Sequence, residues 1–132
     1  MGDLTLNFSA YEFACHCGNC TPTVQMDKAH VNRLQRMRDF MEKEINPTSG
    51  IRCPAHNKKV GGKPTSSHLN GTATDIEVEN SSDEHRLLIV EAAIYVGFTR
   101  IGIAEQFVHV DNDPSKNPDR MWIYPPKKKE SA

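Results

Sequence analysis

The sequence predicts a single α+β domain in which a small antiparallel sheet packs against two main helices. The chain has 132 residues and no internal repeat, and one domain is expected at that length. Two segments repeat apolar residues at helical spacing, and four short runs alternate apolar and polar residues as strands do. We expect residues 1–132 to form this one domain, with an irregular segment at 1–26 and a basic tail at 125–132.

The N-terminal segment is predicted to be irregular apart from one short turn. Ser9 and Glu12 have the spacing of a capping box, so a helical turn is expected there, with Phe8 and Phe13 as its apolar anchors. No other part of residues 1–26 shows a periodic pattern. The clearest helix in the sequence follows directly.

The spacing predicts a helix over residues 27–45. Asp27 is a plausible N-cap, and apolar residues from Val31 to Ile45 recur every three or four positions to form one stripe. Pro47 and Gly50 end the segment. Residues 48–60 form a short polar segment that contains Pro54, and Gly61–Pro64 is expected to be a turn or loop.

The second half of the chain predicts one helix and most of the strands. Ser81 and Glu84 again have capping-box spacing, and Gly97 is a C-terminal stop. Apolar residues lie on most sides of this helix, which predicts that it is well buried. The alternating runs are interpreted as four strands at residues 75–78, 99–104, 107–111 and 121–124.

The composition argues against nucleic acid or a membrane as partner. The net charge is −1, so there is no positive excess to bind phosphates or anionic lipid. The basic run Lys127–Lys129 is interpreted as a solvated tail. The chain shows neither a bilayer-spanning apolar run nor a secretory leader, so we expect synthesis in the cytoplasm without a signal peptide. Nothing in the sequence requires more than a monomer.

Candidate chemistry concentrates in residues 66–75, where His68 precedes Asp75 by seven residues. Gly71 lets the chain turn between the polar approach and the strand that Asp75 opens. Imidazole and carboxylate suit Zn²⁺, and a zinc site with an open coordination position is catalytic rather than structural. A polar turn leading into a buried strand is the alternative interpretation of this stretch alone.

His109 is the third candidate ligand. Side chains two apart on a strand face the same way, so Glu105, His109 and Asp111 share one face while the intervening valines face the core. That arrangement leaves His109 and Asp111 facing a cleft. Together with His68 and Asp75, His109 completes a plausible zinc triad with a fourth position for water.

These residues also resemble a known family. The pattern Ser66-x-His68-x-x-Gly71-x-Ala73-x-Asp75 resembles the signature of the zinc D-Ala-D-Ala carboxypeptidase family, metallopeptidases that share the hedgehog-type fold. Further segments resemble the small bacterial and phage members, so the likeness covers roughly residues 8–124. These segments are Phe8–Gly18, Ser49–Asn57, Val60–Gly62, Phe107–Asp111 and Trp122.

The resemblance implies a hydrolase that cleaves peptidoglycan peptides, with a zinc cleft on the sheet. It implies that His68, Asp75 and His109 hold Zn²⁺. It also puts Arg52 near the site, where the guanidinium binds a substrate carboxylate or polarises the scissile carbonyl. A surface charge pair is the alternative for Arg52. A phage endolysin, a tail-associated lysin and a bacterial wall-remodelling enzyme all fit, acting on the wall after release or as part of a virion.

The chain departs from the family at the general base. Several members carry a glutamate three residues before the last histidine ligand, where this chain has Gln106, which cannot accept a proton. We favour Asp111 as the base because it lies two residues from His109 on the same face. Glu105 serves instead if a bulge shifts the register. A third possibility is a site that binds metal but cleaves poorly, and the matching alternative function is a non-catalytic module that recognises a wall fragment or a protein partner.

The cysteines form a separate group. Cys15, Cys17 and Cys20 lie within six residues of one another, and Cys53 is distant in sequence. A second, structural zinc site, a disulfide formed after release, and free thiols are all compatible with this pattern. The sequence does not choose among them.

Overall fold

A computed structural model of the chain describes residues 2–17 and 25–125. Cys20 and the basic run Lys127–Lys129 lie outside the described residues. Three α-helices and five strands follow one another in the order α1, β1, α2, β2, α3, β3, β4, β5, and short 3₁₀ turns precede α1, β2 and α3. The helices are α1 (Lys28–Met41), α2 (Pro54–Lys59) and α3 (Asp83–Tyr95), and the strands are β1 (Pro47–Ser49), β2 (Ala73–Glu77), β3 (Arg100–Ile103), β4 (Phe107–Asp111) and β5 (Arg120–Ile123).

The five strands form one sheet in the order β1-β2-β4-β3-β5. The pairs β1–β2, β2–β4 and β3–β4 are antiparallel, as predicted, but β5 pairs with β3 in parallel, so the sheet is mixed. Arg100 at the start of β3 pairs with both Asp111 and Arg120. The loop between β4 and β5 therefore passes around the start of β3, and this path makes β5 run in the same direction as β3.

One face of the sheet carries the core and the other carries polar side chains. Thr74 and Ile76 of β2 and Val108 and Val110 of β4 are completely buried on the core face, where α1 and α3 pack. Because side chains alternate along β2 and β4, Asp75 and its partner His109 lie on the opposite face. The predicted division of β4 into a core face and a cleft face is therefore confirmed.

Helix α1 begins where the sequence predicts and ends four residues early. The Asp27 carboxylate accepts a hydrogen bond from the backbone N–H of His30 (3.0 Å), which is the expected N-cap. The helix stops at Met41 because Glu42 adopts a left-handed conformation (φ 52°) that turns the chain towards β1. Ile45 is still buried in the core, although it lies beyond the helix.

Helix α3 differs from its prediction in two respects. Its N-cap is Ser82, whose hydroxyl accepts a hydrogen bond from the N–H of His85 (3.2 Å), one residue beyond the predicted cap. The helix is also buried on one face only, because its core contacts come from Ile89, Ala92 and Ala93. The expectation of a well-buried helix is wrong for its other side, where Leu87, Ile94 and Tyr95 are exposed.

The N-terminal turn is formed as predicted. The N–H of Ser9 donates to the Glu12 carboxylate (2.7 Å), and the rings of Phe8 and Phe13 are buried with their centroids 5.8 Å apart. Phe13 O then accepts the N–H of Ile51 (2.8 Å), which ties this segment to the chain after β1.

Residues 48–60, for which the sequence predicts no element, contain the end of β1 and all of α2. Strand β1 is only three residues long, and its register shifts between Pro47 and Ser49, so it has no alternation to detect. Pro54 occupies the first turn of α2, a position where its missing N–H removes no helical hydrogen bond. Among the described residues, no helix is both long and apolar enough to cross a membrane.

His30 makes the stability of this core depend on pH. Its ring is buried, hydrogen-bonds to Thr74 Oγ1 (2.7 Å) and packs edge-on against Phe98. Burial lowers the pKa of His30 from 6.5 to about 4, against the opposing charge of Asp27. As the pH falls, the unfolded chain is protonated first, so this histidine costs stability progressively between pH 6.5 and pH 4.

We predict that His30→Gln reduces the acid sensitivity of folding. Wild-type protein should lose roughly 3 kcal/mol of unfolding free energy to this group between pH 7 and pH 4, and the variant should lack that loss. Urea unfolding at a series of pH values, with a chelator present so that metal release does not contribute, measures the difference. Equal pH dependence in the two proteins would contradict the assignment.

Candidate metal centre

The three predicted ligands converge on one point of the polar face of the sheet. One ligand atom from each of His68, Asp75 and His109 lies within 4.8 Å of the other two, and all three residues are buried. Asp75 Oδ1 lies 3.3 Å from His68 Nε2 and 3.0 Å from His109 Nδ1. The carboxylate oxygen therefore stands between two imidazole nitrogens.

Strand pairing and one turn bring these side chains together. Asp75 on β2 and His109 on β4 are directly opposite each other in the antiparallel register. His68 comes from the 3₁₀ turn Ser67–Asn70, which ends at Gly71 in a left-handed conformation (φ 70°). A Cβ at Gly71 would lie 2.4 Å from the carbonyl oxygen of Gln25, so only glycine fits between that turn and the chain before α1.

The ring nitrogen of His68 that points away from Asp75 is hydrogen-bonded to the backbone. His68 Nδ1–H donates to Gly50 O (2.7 Å), and the carbonyl of His68 accepts the N–H of Arg52 (3.1 Å). The Nδ1 hydrogen bond leaves the lone pair on Nε2, which faces Asp75. The ring is thus held in the tautomer that a metal ligand needs.

The ring nitrogen of His109 that points away from Asp75 is hydrogen-bonded to a carboxylate. His109 Nε2–H donates to Asp111 Oδ2 (2.5 Å), which leaves Nδ1 to face Asp75. Burial alone lowers the pKa of His109, but hydrogen bonds to Asp111 and Asp75 outweigh it and raise the pKa. A metal ion would compete with a proton for Nδ1, so binding at this position is expected to release a proton.

Arg52 lies beside the three ligands, as predicted. Its Nη2 is 3.4 Å from Asp75 Oδ2, while Nη1 and Nε donate to the side chains of Asn57 (3.2 Å) and Ser49 (3.1 Å). Burial raises the pKa of Asp75, but the hydrogen bond from His109, together with the nearby His68 ring, outweighs it and holds the pKa well below its usual range. The carboxylate is therefore ionised, with Oδ1 between the imidazoles and Oδ2 towards Arg52.

The model of the peptidase M15 family matches residues 6–111, a span that contains all three converging side chains. The chain belongs to the peptidase M15 family. A search of curated proteins finds none that matches it. Membership confirms the resemblance to the zinc D-Ala-D-Ala carboxypeptidase type and agrees with the α+β fold. It also supports a metallopeptidase as the general class of activity.

In this M15 chain, Asp111 has a different environment from the one that a general base needs. Its carboxylate is 1% exposed, faces the far side of His109, lies 3.0 Å from Arg100 Nε and accepts the N–H of Asp113 (3.0 Å). Burial raises the pKa of Asp111, but the hydrogen bonds from His109 and Asp113 lower it below its ordinary value. Asp111 orients His109 from behind and both of its oxygens are occupied, which is unfavourable for a general base, and the base assignment stays a prediction.

Glu105 is not brought to the site. It lies in the turn between β3 and β4, where its side chain is exposed and its carbonyl accepts a hydrogen bond from Arg86 (2.5 Å). Strand β4 pairs in unbroken register with β2 and β3 from residue 107 onward, so the bulge that this prediction required is not formed. Gln106 is exposed in the same turn.

An open cleft of about 1130 Å³ lies over the metal centre. One wall comes from β5, where the Trp122 ring packs 5.3 Å from His109 and Tyr124 extends the aromatic surface. Gly102 of β3 makes room for this indole, because a Cβ there would lie 2.5 Å from Trp122 Nε1. The loop after β4 adds Ser115, Lys116 and Asn117 to the cleft lining.

Sequence reasoning missed a polar support beneath the cleft. Ser67 Oγ donates to Asp113 Oδ2 (2.8 Å), and Lys116 Nζ reaches Ser67 Oγ (3.0 Å). The hydrogen bond between Ser67 and Asp113 links the turn that carries His68 to the loop that follows β4. Both side chains are buried, and their separation of 46 residues left no local pattern to detect.

We predict that Asp111→Asn weakens zinc binding by about 10- to 100-fold, the usual cost of losing a carboxylate behind a histidine ligand. Glu105→Gln is the matched control and should bind zinc with unchanged affinity, because that side chain lies outside the cleft. Competition with a chromophoric chelator measures both affinities. Full zinc affinity in Asp111→Asn, combined with abolished hydrolysis, would favour Asp111 as the general base over this orienting role.

Proposed function

We propose that this chain is a zinc-dependent peptidase that hydrolyses a peptide bond in the stem of peptidoglycan. The observation that carries the proposal is the convergence of two oriented imidazoles and one ionised carboxylate at the floor of an open cleft. Two histidines and one carboxylate form a ligand set found at catalytic zinc centres, where a fourth position is left for solvent or substrate.

The spacing of the ligand atoms fits zinc. In a tetrahedral site with bonds of ~2.0–2.1 Å, neighbouring ligand atoms are roughly 3.3 Å apart. The observed separations of 3.3 Å and 3.0 Å from Asp75 Oδ1 to the two imidazoles are close to this value. A zinc ion held there would supply Lewis-acid activation of a peptide carbonyl and of an attacking water.

The protein's own residues supply orientation and charge. Gly50 O and Asp111 fix the two imidazole rings, and Arg52 fixes the second oxygen of Asp75. Arg52 Nε and Nη1 donate hydrogen bonds to Ser49 and Asn57, which fix the position of the guanidinium. Arg52 also lines the cleft. From there its charge can bind a substrate carboxylate or stabilise negative charge that develops on the scissile carbonyl.

The charge of the cleft supports an acidic peptide as substrate. Among the described residues that line the cleft, the only carboxylates are Asp75 and Asp111, and both are engaged. Five cationic side chains line it as well. Peptidoglycan stem peptides carry free carboxylates, which such a lining attracts. The cationic residues are Arg52, Lys63, Arg100, Lys116 and Arg120.

We infer that the protein works on the outer side of the membrane, because the wall is there. It would act after release, as an endolysin or wall-remodelling enzyme does, or as part of a virion in a tail-associated lysin. The substrate is a peptide, and neither nucleic acid nor lipid enters this proposal. A monomer suffices, because one chain supplies every residue of the site.

A specific observation favours a second candidate function. Asp111 is engaged, Glu105 is exposed outside the cleft, and Gln106 cannot accept a proton. The described cleft therefore presents no uncommitted carboxylate to an attacking water. A non-catalytic module that keeps the metal and recognises a wall fragment or a protein partner would have this composition.

Purified cell walls distinguish the two functions. We expect the zinc-loaded protein to clear a suspension of walls, and expect clearing to stop when a chelator is added. His109→Ala should clear nothing and bind less zinc, because it lacks one ligand. Sedimentation of fully loaded protein with walls that it does not clear would instead support the binding module. Mass spectrometry of the released muropeptides would identify the bond that is cut.

We predict that Arg52→Gln lowers kcat/KM on a stem peptide by roughly 10- to 100-fold, the equivalent of one charge-assisted hydrogen bond. Lys59→Gln removes an exposed positive charge of α2 that does not line the cleft, and it should be neutral. Steady-state kinetics on a synthetic stem peptide measures both. Equal kcat/KM in the wild type and Arg52→Gln would exclude a substrate-directed role for this arginine.

A further inference from the structure

We propose that Cys15, Cys17 and Cys53 form a second metal site, a structural thiolate centre for zinc that is separate from the His68–Asp75–His109 group. One sulfur from each cysteine lies within 4.8 Å of the other two, although Cys53 is 36 residues beyond Cys17 in sequence. Among the described residues, this is the only other group of three potential ligands that meets so closely. The inference does not depend on peptidase activity.

The sulfur separation matches a zinc–thiolate tetrahedron. Zinc–sulfur bonds of ~2.3 Å place neighbouring sulfurs roughly 3.8 Å apart. The Sγ atoms of Cys17 and Cys53 are 3.8 Å apart. Three thiolates at such separations form a soft donor set, which selects zinc over the hard cations calcium and magnesium.

Two backbone N–H groups point at sulfurs of the cluster. Cys15 Sγ accepts the N–H of Cys53 (3.3 Å), and Cys53 Sγ accepts the N–H of His56 (3.4 Å). Cysteine ligates metal as the thiolate, and a metal-bound thiolate is a charged acceptor that such N–H donors can satisfy. Both contacts come from the chain at residues 53–56, so the local backbone already has the arrangement that metal-bound sulfurs need.

His56 lies close to Cys53 in sequence but outside the group of three converging sulfurs. It follows Cys53 by three residues, and its Nδ1 is buried without a hydrogen-bond partner among the described residues. A buried polar atom without a partner is costly, and a metal bond would satisfy it. The three-sulfur site does not depend on which ligand takes the fourth position.

The location of the cluster suggests what this metal would stabilise. It would join the N-terminal segment to residues 50–53, beside the hydrogen bond from Ile51 N–H to Phe13 O. The same four residues carry Gly50 O, which orients His68, and Arg52, which contacts Asp75. The second metal would therefore fix the backbone that supports the first metal centre.

Cobalt spectroscopy tests the site without any measurement of activity. The full-length protein is stripped with a chelator, kept reduced and titrated with Co²⁺. We expect about two equivalents to bind, with a near-ultraviolet sulfur-to-cobalt charge-transfer band that nitrogen and oxygen ligands do not produce. The double variant Asp75→Asn/His109→Ala should bind about one equivalent and keep that band, because its cysteines are unchanged.

The reciprocal variant is Cys17→Ser, which should lose the charge-transfer band and keep about one cobalt equivalent at the first centre. The double variant with intact cysteines tests the site independently of whether Cys17→Ser folds. Reduced wild-type protein that binds cobalt without the band would overturn the proposal. So would mass spectrometry showing Cys53 in a disulfide in freshly purified protein. Failure to clear walls would contradict the proposed function and leave the thiolate site unaffected.

Discussion

The antiparallel pairing of β2 with β4 is the constraint on which the rest of the structure depends. It sets Asp75 directly opposite His109 on one face of the sheet. On the other face, the same register sets Thr74 opposite Val110 and Ile76 opposite Val108 in the core. A slip of one residue would exchange the two faces, burying charge among helices and exposing valine in the cleft. The packing of α1 and α3 against the core face therefore also fixes the geometry of the metal centre.

Burying two imidazoles and two carboxylates in one small volume is costly unless each polar atom has a partner. The structure meets this requirement by distributing the partners over distant parts of the chain. Backbone at residue 50 satisfies His68, Arg52 satisfies one oxygen of Asp75, and Arg100 stands beside Asp111. Few side chains in this arrangement can change alone, since each removal would leave a buried charge unpaired.

Much of the fold was predictable because its signals are local. The capped start of α1, the limits of β4 and the turn at Phe8–Phe13 follow from spacing along a few residues. The end of α1 was not predictable, because a glutamate adopts the left-handed conformation that usually marks glycine. Strand β1 was missed because three residues carry no period, and the burial of α3 was overestimated because composition does not show which face meets the core.

The same distinction applies to the site. The convergence of His68, Asp75 and His109 could be predicted from motifs and from alternation along a strand, and the structure brings the three side chains together. The role of Asp111 could not, because sharing a strand face with His109 does not tell which ring nitrogen it meets. The bond between Ser67 and Asp113 depends on the path of a loop after β4, and no local pattern encodes that path.

The cleft has two halves with different origins along the chain. The ligands and Arg52 all lie within residues 6–111, the part that matches the family. The wall formed by Trp122, Tyr124 and the loop before β5 lies entirely after it. Substitutions confined to this one contiguous stretch would therefore reshape the outer wall of the cleft and leave the converging side chains of His68, Asp75 and His109 in place.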